Sequence, residues 1–276
     1  MKLHDRTALV TGAGSGIGRA IAHSLAQRGC HLALADVNAA GLADTVAQLQ
    51  PTASARGLRL SRHALDVADR AAVAALPDEV LGHHPGLQLL VNNAGVAVGG
   101  TFEQVTEADF DWLFEINFHA VVRLTRACLP LLQRADQARI VNLSSVYGLI
   151  SPPGQTAYSA SKFAVRGFSN ALRHELAGST VGVTVVHPGG VATQIARSAR
   201  KPAAVPAAEI EQRIAEAEKK LRMPPARAGE IIVRGMERDK ARVLVGGDAV
   251  VIAWLERLAP VSYWRWLGPL VMKTTR

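Results

Sequence analysis

Cysteine is almost absent from this chain of 276 residues: Cys30 and Cys128 stand alone, without metal-ligand spacing. Their scarcity argues against a disulfide framework and against a zinc module, and the two read best as reduced thiols. Aromatic residues are also few, at 5%. The chain is basic, with a formal charge of +8 and a pI near 10.0, which by itself would attract nucleic acid or anionic lipid. Its bases are spread along the chain, however, and too few aromatics lie among them to stack nucleobases, so no nucleic-acid partner is expected. The nine histidines include the neighbours His83 and His84, yet no carboxylate or cysteine completes a ligand set at metal spacing. No metal is expected, and the histidine pair reads as solvated.

Also missing are internal repeats, low-complexity tracts and a linker that would separate two domains. After Met1-Lys2-Leu3-His4-Asp5-Arg6 the chain enters a strand-like run. A charged n-region, an apolar h-region and a cleavage site do not follow one another there, so a cytoplasmic location is expected.

What the sequence does contain is alternation. Apolar, β-branched runs at 7–11, 31–35, 58–65, 87–91, 139–143, 181–187 and 242–245 make seven candidate strands. Segments between them repeat apolar residues near every 3.6 positions, as at Ile17, Ile21 and Leu25, or Phe110, Leu113, Phe114, Val121 and Leu124. Strand and helix in turn predict an α/β fold: a single-domain, doubly wound, parallel seven-stranded sheet of Rossmann type. Residues 1–248 would form the catalytic domain, including an added segment at 194–225, and 249–276 a C-terminal extension.

The first strand runs into Thr11-Gly12-Ala13-Gly14-Ser15-Gly16-Ile17-Gly18, with an amphipathic helix behind it. The literal Gly-x-Gly-x-x-Gly pattern fails because position 17 is Ile. The physics is unchanged: glycines allow a tight turn, and a helix N-terminus offers free N–H groups and positive partial charge to a diphosphate. About 20 residues on, Asp36 ends the second strand, where a carboxylate accepts from adenosine ribose hydroxyls. Val37 and Ser15 supply no base for a 2′-phosphate, so NAD is expected over NADP. Asp36 would otherwise be a strand-end or helix-capping residue.

Tyr158 and Lys162 stand four apart in a helical segment and so share a face. A phenol is a poor base at neutral pH, and a nearby ammonium lowers its pKa by favouring phenolate. A drop of two to three units needs about 3 to 4 kcal/mol, which a close cation and a positive nicotinamide would supply in a partly dry site. Standing alone, such a pair would be a surface contact. Thr106 and Asp109 read as a capping box that opens a long helix, with Asn117 on its apolar stripe. A buried amide there must be satisfied by backbone, by water or by a functional network. Pro188-Gly189-Gly190-Val191-Ala192-Thr193 follows the sixth strand at the end where such sheets bind ligands.

Together these motifs resemble the short-chain dehydrogenase/reductase family over residues 5–246. The glycine turn is similar to its cofactor fingerprint, Asp66-Val67 to its adenine-contacting pair, Asn92-Asn93-Ala94-Gly95 to its fourth-strand signature, and Tyr158 to Lys162, preceded by Ser145, to its catalytic motif. The resemblance implies an oxidoreductase in which Asn117, Ser145, Tyr158 and Lys162 act on an alcohol/ketone pair. Gly12, Ser15, Gly16, Ile17, Gly18, Asp36, Asp66, Val67, Asn93, Ala94, Gly95, Tyr158, Lys162, Pro188, Gly189, Val191 and Thr193 would hold the cofactor. Family spacing favours Ser145 over Ser144, and strand alternation separates the two hydroxyls. It also implies a relay water between Asn117 and Lys162, nicotinamide contacts from Val191 and Thr193, and a homodimer or homotetramer. An NADP-dependent reductase and an idle cofactor-binding sensor are the alternatives; the intact acid/base set argues against the sensor.

Two additions bear on the substrate. Residues 207–222 make an amphipathic helix with Ile210, Ile214 and Leu221 on one face and i,i+4 pairs Glu209/Arg213, Glu216/Lys220 and Glu218/Arg222. The resemblance implies that it is a lid, and its apolar face suits a lipophilic ketone or alcohol. Beyond Gly247 the chain is rich in apolar and aromatic residues, but Glu256, Arg257, Pro260, Arg265 and Pro269 interrupt any span-length run. A protein contact is expected there in preference to peripheral lipid binding.

Overall fold

The computed structural model describes residues 1–202 and 205–272, with side chains through Pro269. Expectations for residues 203, 204 and 273–276 lie outside the described residues. Seven strands form one sheet: β1 (Thr7–Thr11), β2 (His31–Asp36), β3 (Leu60–Ala64), β4 (Leu89–Asn92), β5 (Ala138–Leu143), β6 (Val181–Pro188) and β7 (Arg242–Val245). Their order is β3-β2-β1-β4-β5-β6-β7, and every pairing is parallel. This is the doubly wound parallel sheet that the alternation predicts. Strand order reverses between β1 and β4, which opens a crevice at the C-terminal ends of those strands.

The inner strands β1 and β4 are apolar and buried because both faces are covered, whereas the edge strand β3, Leu-Ser-Arg-His-Ala, alternates buried and exposed positions. In β1, Ala8 and Val10 pack with α1 (Gly16–Ala26), α2 (Ala39–Arg56) and α8 (Pro225–Glu237), through Ile21, Leu25, Leu42, Leu49, Ile232 and Met236. Leu9 points the other way, into a core shared with α3 (Arg70–His83), α5 (Ala120–Gln133) and α6 (Thr156–Glu175), including Val80, Leu124 and Leu172. The period of two along one strand thus builds both layers.

Three departures from the sequence reading matter. The helix opened by Thr106 is long, as expected, but not uniform: α4 (Glu107–Phe114) runs through a π-turn over Glu115–His119 directly into α5. Thr106 does cap it, its hydroxyl oxygen accepting from Asp109 N–H at 3.1 Å. The histidine pair is not solvated as a pair. His84 is buried, with Nε2 2.8 Å from Ser61 Oγ, which also meets His63 Nε2 at 2.8 Å. Finally, α7 (Ala207–Lys220) stops short of Arg222: Glu216 meets Lys219, and Glu218 reaches Arg197 in place of Arg222. The Glu209/Arg213 pair is present.

The chain ends in α9 (Gly247–Leu258) and α10 (Tyr263–Met272). Among the described residues no helix is long and apolar enough to cross a membrane, and no group of three or more His, Cys, Asp or Glu is placed to hold a metal ion.

Candidate active site

The glycine turn sits at the mouth of the crevice, and close approach explains its composition. A Cβ on Gly18 would stand 2.1 Å from Gly12 O, and Gly12 itself has φ +64° with Ala94 Cα 2.9 Å from where a Cβ would be. Thr11 and Asn93 lock β1 to β4: the Thr11 hydroxyl oxygen accepts from Asn93 and Ala94 N–H at 3.1 Å each, and Asn93 Nδ2 donates to Thr11 O at 2.9 Å. Ser15 begins α1 without a side-chain capping bond, so the N–H groups of its first turn are left to a ligand. On Gly16 a Cβ would come 3.1 Å from Thr193 Cγ2, across the gap between the turn and the segment after β6. A diphosphate fits a helix N-terminus cleared of side chains in this way.

Asp36 closes one side of the turn. Its Oδ2 accepts from Gly14 N–H at 2.7 Å and its Oδ1 from Asn38 N–H at 2.8 Å, leaving a lone pair on each oxygen for ribose hydroxyls. Beside it Val37 is 71% exposed. Sequence reasoning passed over Arg19, which binds this turn from beneath. Its guanidinium donates to Gly14 O, to Gly41 O at 3.1 Å and to the Thr45 hydroxyl oxygen at 2.8 Å. Further along the crevice, Asp66 caps its own turn through Ala68 N–H at 2.9 Å, while Val67 is buried against the core of α3.

Ser145 follows the end of β5, and α6 brings Tyr158 and Lys162 alongside it. The two adjacent serines point apart, as alternation requires: Ser144 Oγ donates to Lys162 O at 2.8 Å, whereas the Ser145 hydroxyl is on the side of the Tyr158 phenol and favours its ionised form. Ser145 Oγ also accepts from Tyr147 N–H at 3.1 Å, which leaves its proton free to point at a ligand oxygen. Lys162 Nζ donates to Leu143 O at 3.0 Å and lies 5.7 Å from the centre of the Tyr158 ring. Asn117, in the π-turn, answers the question its burial raised. Its Oδ1 accepts from Val96 N–H at 2.8 Å, and its Nδ2 donates to Val96 O at 3.0 Å and to Ser161 Oγ at 3.2 Å. Gly95 lies between them: a Cβ there would be 3.2 Å from Asn117 Oδ1 and 3.4 Å from Lys162 Nζ.

The electrostatics correct one expectation. Tyr158 is pushed up to about 12, by burial first, against a smaller lowering from the Ser145 hydroxyl. Lys162 is brought down to about 8 by the same burial. Both charged forms suffer in a dry pocket, and a lysine at this distance does not acidify the phenol on its own. Tyr158 itself is half-buried, at the edge of the crevice.

Pro188 ends β6, and the turn after it is held by two residues that the motifs did not flag. Asp248 Oδ2 accepts from Gly190 N–H at 2.7 Å, and a Cβ on Gly189 would lie 2.2 Å from the same oxygen. His187 is fully buried; its Nδ1 is 2.9 Å from Ser145 O, and its Nε2 has no partner. A histidine in an apolar strand just before the Pro-Gly turn was the available signal for it. Val191 is buried and bridges Met223, and Ala192 N–H donates to Met223 O at 2.8 Å, so the segment carrying α7 returns to this turn. Its other end is pinned by the Val98–Arg200 bridge, with the Arg200 guanidinium 3.6 Å from the centre of the Trp112 ring. On α7 Ile214 is buried, while Ile210 and, just beyond the helix, Leu221 are half-buried.

Comparison with known proteins agrees with this geometry. A family model described as short chain dehydrogenase matches residues 6–204. The chain is 42% identical over 272 residues to a Mycobacterium tuberculosis protein named as an oxidoreductase, SadH, covering 97% of this chain and 96% of that one. Against the oxidoreductase UcpA of Escherichia coli K12 it is 37% identical over 198 residues, 71% of this chain and 73% of UcpA. Among solved structures, a short chain dehydrogenase/reductase from Burkholderia phymatum in complex with NAD superposes with a TM-score of 0.84 at 31% identity, covering 94% of this chain and 95% of that one. An alcohol dehydrogenase from Thermococcus sibiricus complexed with 5-hydroxy-NADP gives 0.73 at 25% identity, over 88% of this chain and 95% of that one.

Proposed function

Because the chain belongs to the short-chain dehydrogenase family of oxidoreductases, we propose that it moves a hydride between NAD(H) and an alcohol/ketone pair, with Tyr158 as general acid/base. The observation that carries the reading is the Tyr158 phenol set beside the Ser145 hydroxyl and Lys162, on the crevice that the glycine turn opens. When bound, the nicotinamide cofactor supplies the hydride donor or acceptor and, oxidised, a positive charge. Gly12, Ser15, Gly16, Ile17 and Gly18 hold its diphosphate, Asp36 its ribose, Asp66 and Val67 its adenine side, and Asn93, Ala94, Gly95, Pro188, Gly189, Val191 and Thr193 the nicotinamide side.

In reduction, protonated Tyr158 gives its proton to the substrate oxygen as that oxygen gains charge; in oxidation, phenolate takes the alcohol proton. Ser145 donates its hydroxyl proton to the same oxygen. Lys162 favours phenolate against the burial penalty, and Asn117 holds the Val96 backbone next to it. NAD is favoured over NADP because Asp36 would repel a 2′-phosphate and the nearby Arg19 is already engaged. The apolar side of α7 suits a lipophilic carbonyl. A homodimer or homotetramer would pack through the helices of Asn117 and Tyr158.

The test is a panel of lipophilic and short polar alcohols and ketones with NAD(H) and NADP(H), run on wild type and Tyr158→Phe. Loss of one positioned acid/base lowers kcat by about 10²- to 10⁴-fold, with cofactor binding kept. Equal turnover by both proteins would overturn the mechanism, and a clear preference for polyols would overturn the substrate class.

A further inference from the structure

Large apolar side chains left in water are concentrated at one place in this molecule. Val250, Val251, Trp254, Leu258, Val261 and Trp266 all belong to α9, α10 and the turn between them, with Leu258, Val261 and Trp266 exposed by 77%, 94% and 68%. On α9, positions 250, 251, 254 and 258 form a single stripe, while Ala249 and Ala253 pack inward. An apolar surface of this extent calls for a partner.

The surrounding chemistry indicates which one. Arg257 and Arg265 are exposed beside the stripe. Beyond the first turn of α9 the described residues hold one acid, Glu256, and it is half-buried and turned toward Arg166 at 4.0 Å. The exposed charge at this edge is therefore positive, on a chain whose formal charge is +8. Tryptophan and arginine bordering an apolar stripe match a helix that lies at the level of lipid headgroups. Shape points the same way: Val261 projects from a turn, and a fluid layer closes around a projection where a folded partner would have to offer a socket. The inner side of the hairpin is fixed to the body. Tyr263 Oη accepts from Ser151 N–H at 3.0 Å, and Trp264 lines a cavity of about 450 Å³ with Pro152, Pro153 and Phe163.

We infer that α9 and α10 form a peripheral docking surface for an anionic lipid bilayer, with Trp254, Leu258, Val261 and Trp266 entering the headgroup region and Arg257 and Arg265 meeting its phosphates. Ser151 lies on the loop that follows Ser145, so the docked protein would hold the flank of its crevice at the lipid. The full-length chain is to be co-sedimented with phosphatidylcholine vesicles, with and without a minority of phosphatidylglycerol, at low and high salt. In parallel, its mass in solution and its turnover of a water-soluble ketone are to be measured. Binding to the anionic vesicles is expected, weakening with salt. A Trp254→Ser/Val261→Ser/Trp266→Ser variant should bind at least about tenfold more weakly, with mass and turnover unchanged. No vesicle binding by wild type, or equal binding by the variant, would overturn the inference. So would a change in the variant's mass in solution, because the surface would then be a subunit contact.

Discussion

His187 has two ring nitrogens with different fates. Nδ1 lies against the Ser145 carbonyl at 2.9 Å, while Nε2 is buried without a partner. Its pKa is held down to about 4, by burial first, with the Ser145 bond opposing. The ring is therefore neutral near pH 7, and Nδ1 must carry the hydrogen that it donates to that carbonyl. A leucine would avoid the unpaired nitrogen, so the contact to Ser145 is what an imidazole adds at this position. His187→Leu should lower kcat by about tenfold or more while leaving the cofactor KM nearly unchanged. His187→Asn, whose amide nitrogen can take the place of Nδ1, should restore most of the loss. Equal damage in the two variants would make the residue a packing element. At Asp36 the argument concerns charge. Replacing Asp36 by Ser and Val37 by Arg removes a repulsion and adds a base, so the NADPH/NADH ratio of kcat/KM should rise by at least about tenfold; an unchanged ratio would show that other residues set the preference.

At the scale of elements, the turn after β6 depends on the start of α9. Asp248 binds Gly190 N–H from a position 58 residues away in sequence. Asp248→Ala should loosen that turn and raise the cofactor KM a few-fold with kcat preserved, since an exposed charged hydrogen bond contributes modestly; fluorescence titration with NADH would read it. The seven strands were legible because strands covered on both faces are short apolar runs and the helices between them carry their own period. Their ends were less so: β3 starts at Leu60, because the Leu58 N–H is taken by Ala53 O in closing α2. The π-turn was invisible to periodicity. At Asn117 it serves a bond to Val96, 21 residues away. On α7 the pairing of Glu218 with Arg197 depends on where the preceding loop lies, which no helical spacing reports.

For the whole molecule, the buried histidines His63, His84 and His187, each lowered with burial as the leading cause, weigh against stability in acid. His84 and His187 are each lowered from 6.5 to about 4, with burial the leading cause. The unfolded chain therefore binds more protons than the native one between pH 6.5 and 4, and stability falls as pH drops through that window. At pH 5 the loss is on the order of 2 kcal/mol for each histidine. Thermal melts between pH 7 and 5 should show Tm falling by several degrees, with a shallower slope for His187→Asn, and a flat profile would contradict it. The sequence by itself determined the layer architecture, the glycine turn and the family, since each rests on residue types at short, fixed spacings that local geometry converts directly into shape. Only the tertiary structure decided that His84 is buried, that His187 underlies Ser145, and that burial pushes the Tyr158 phenol up. Those outcomes depend on which distant side chains exclude water from a given atom, and desolvation belongs to the packed molecule alone.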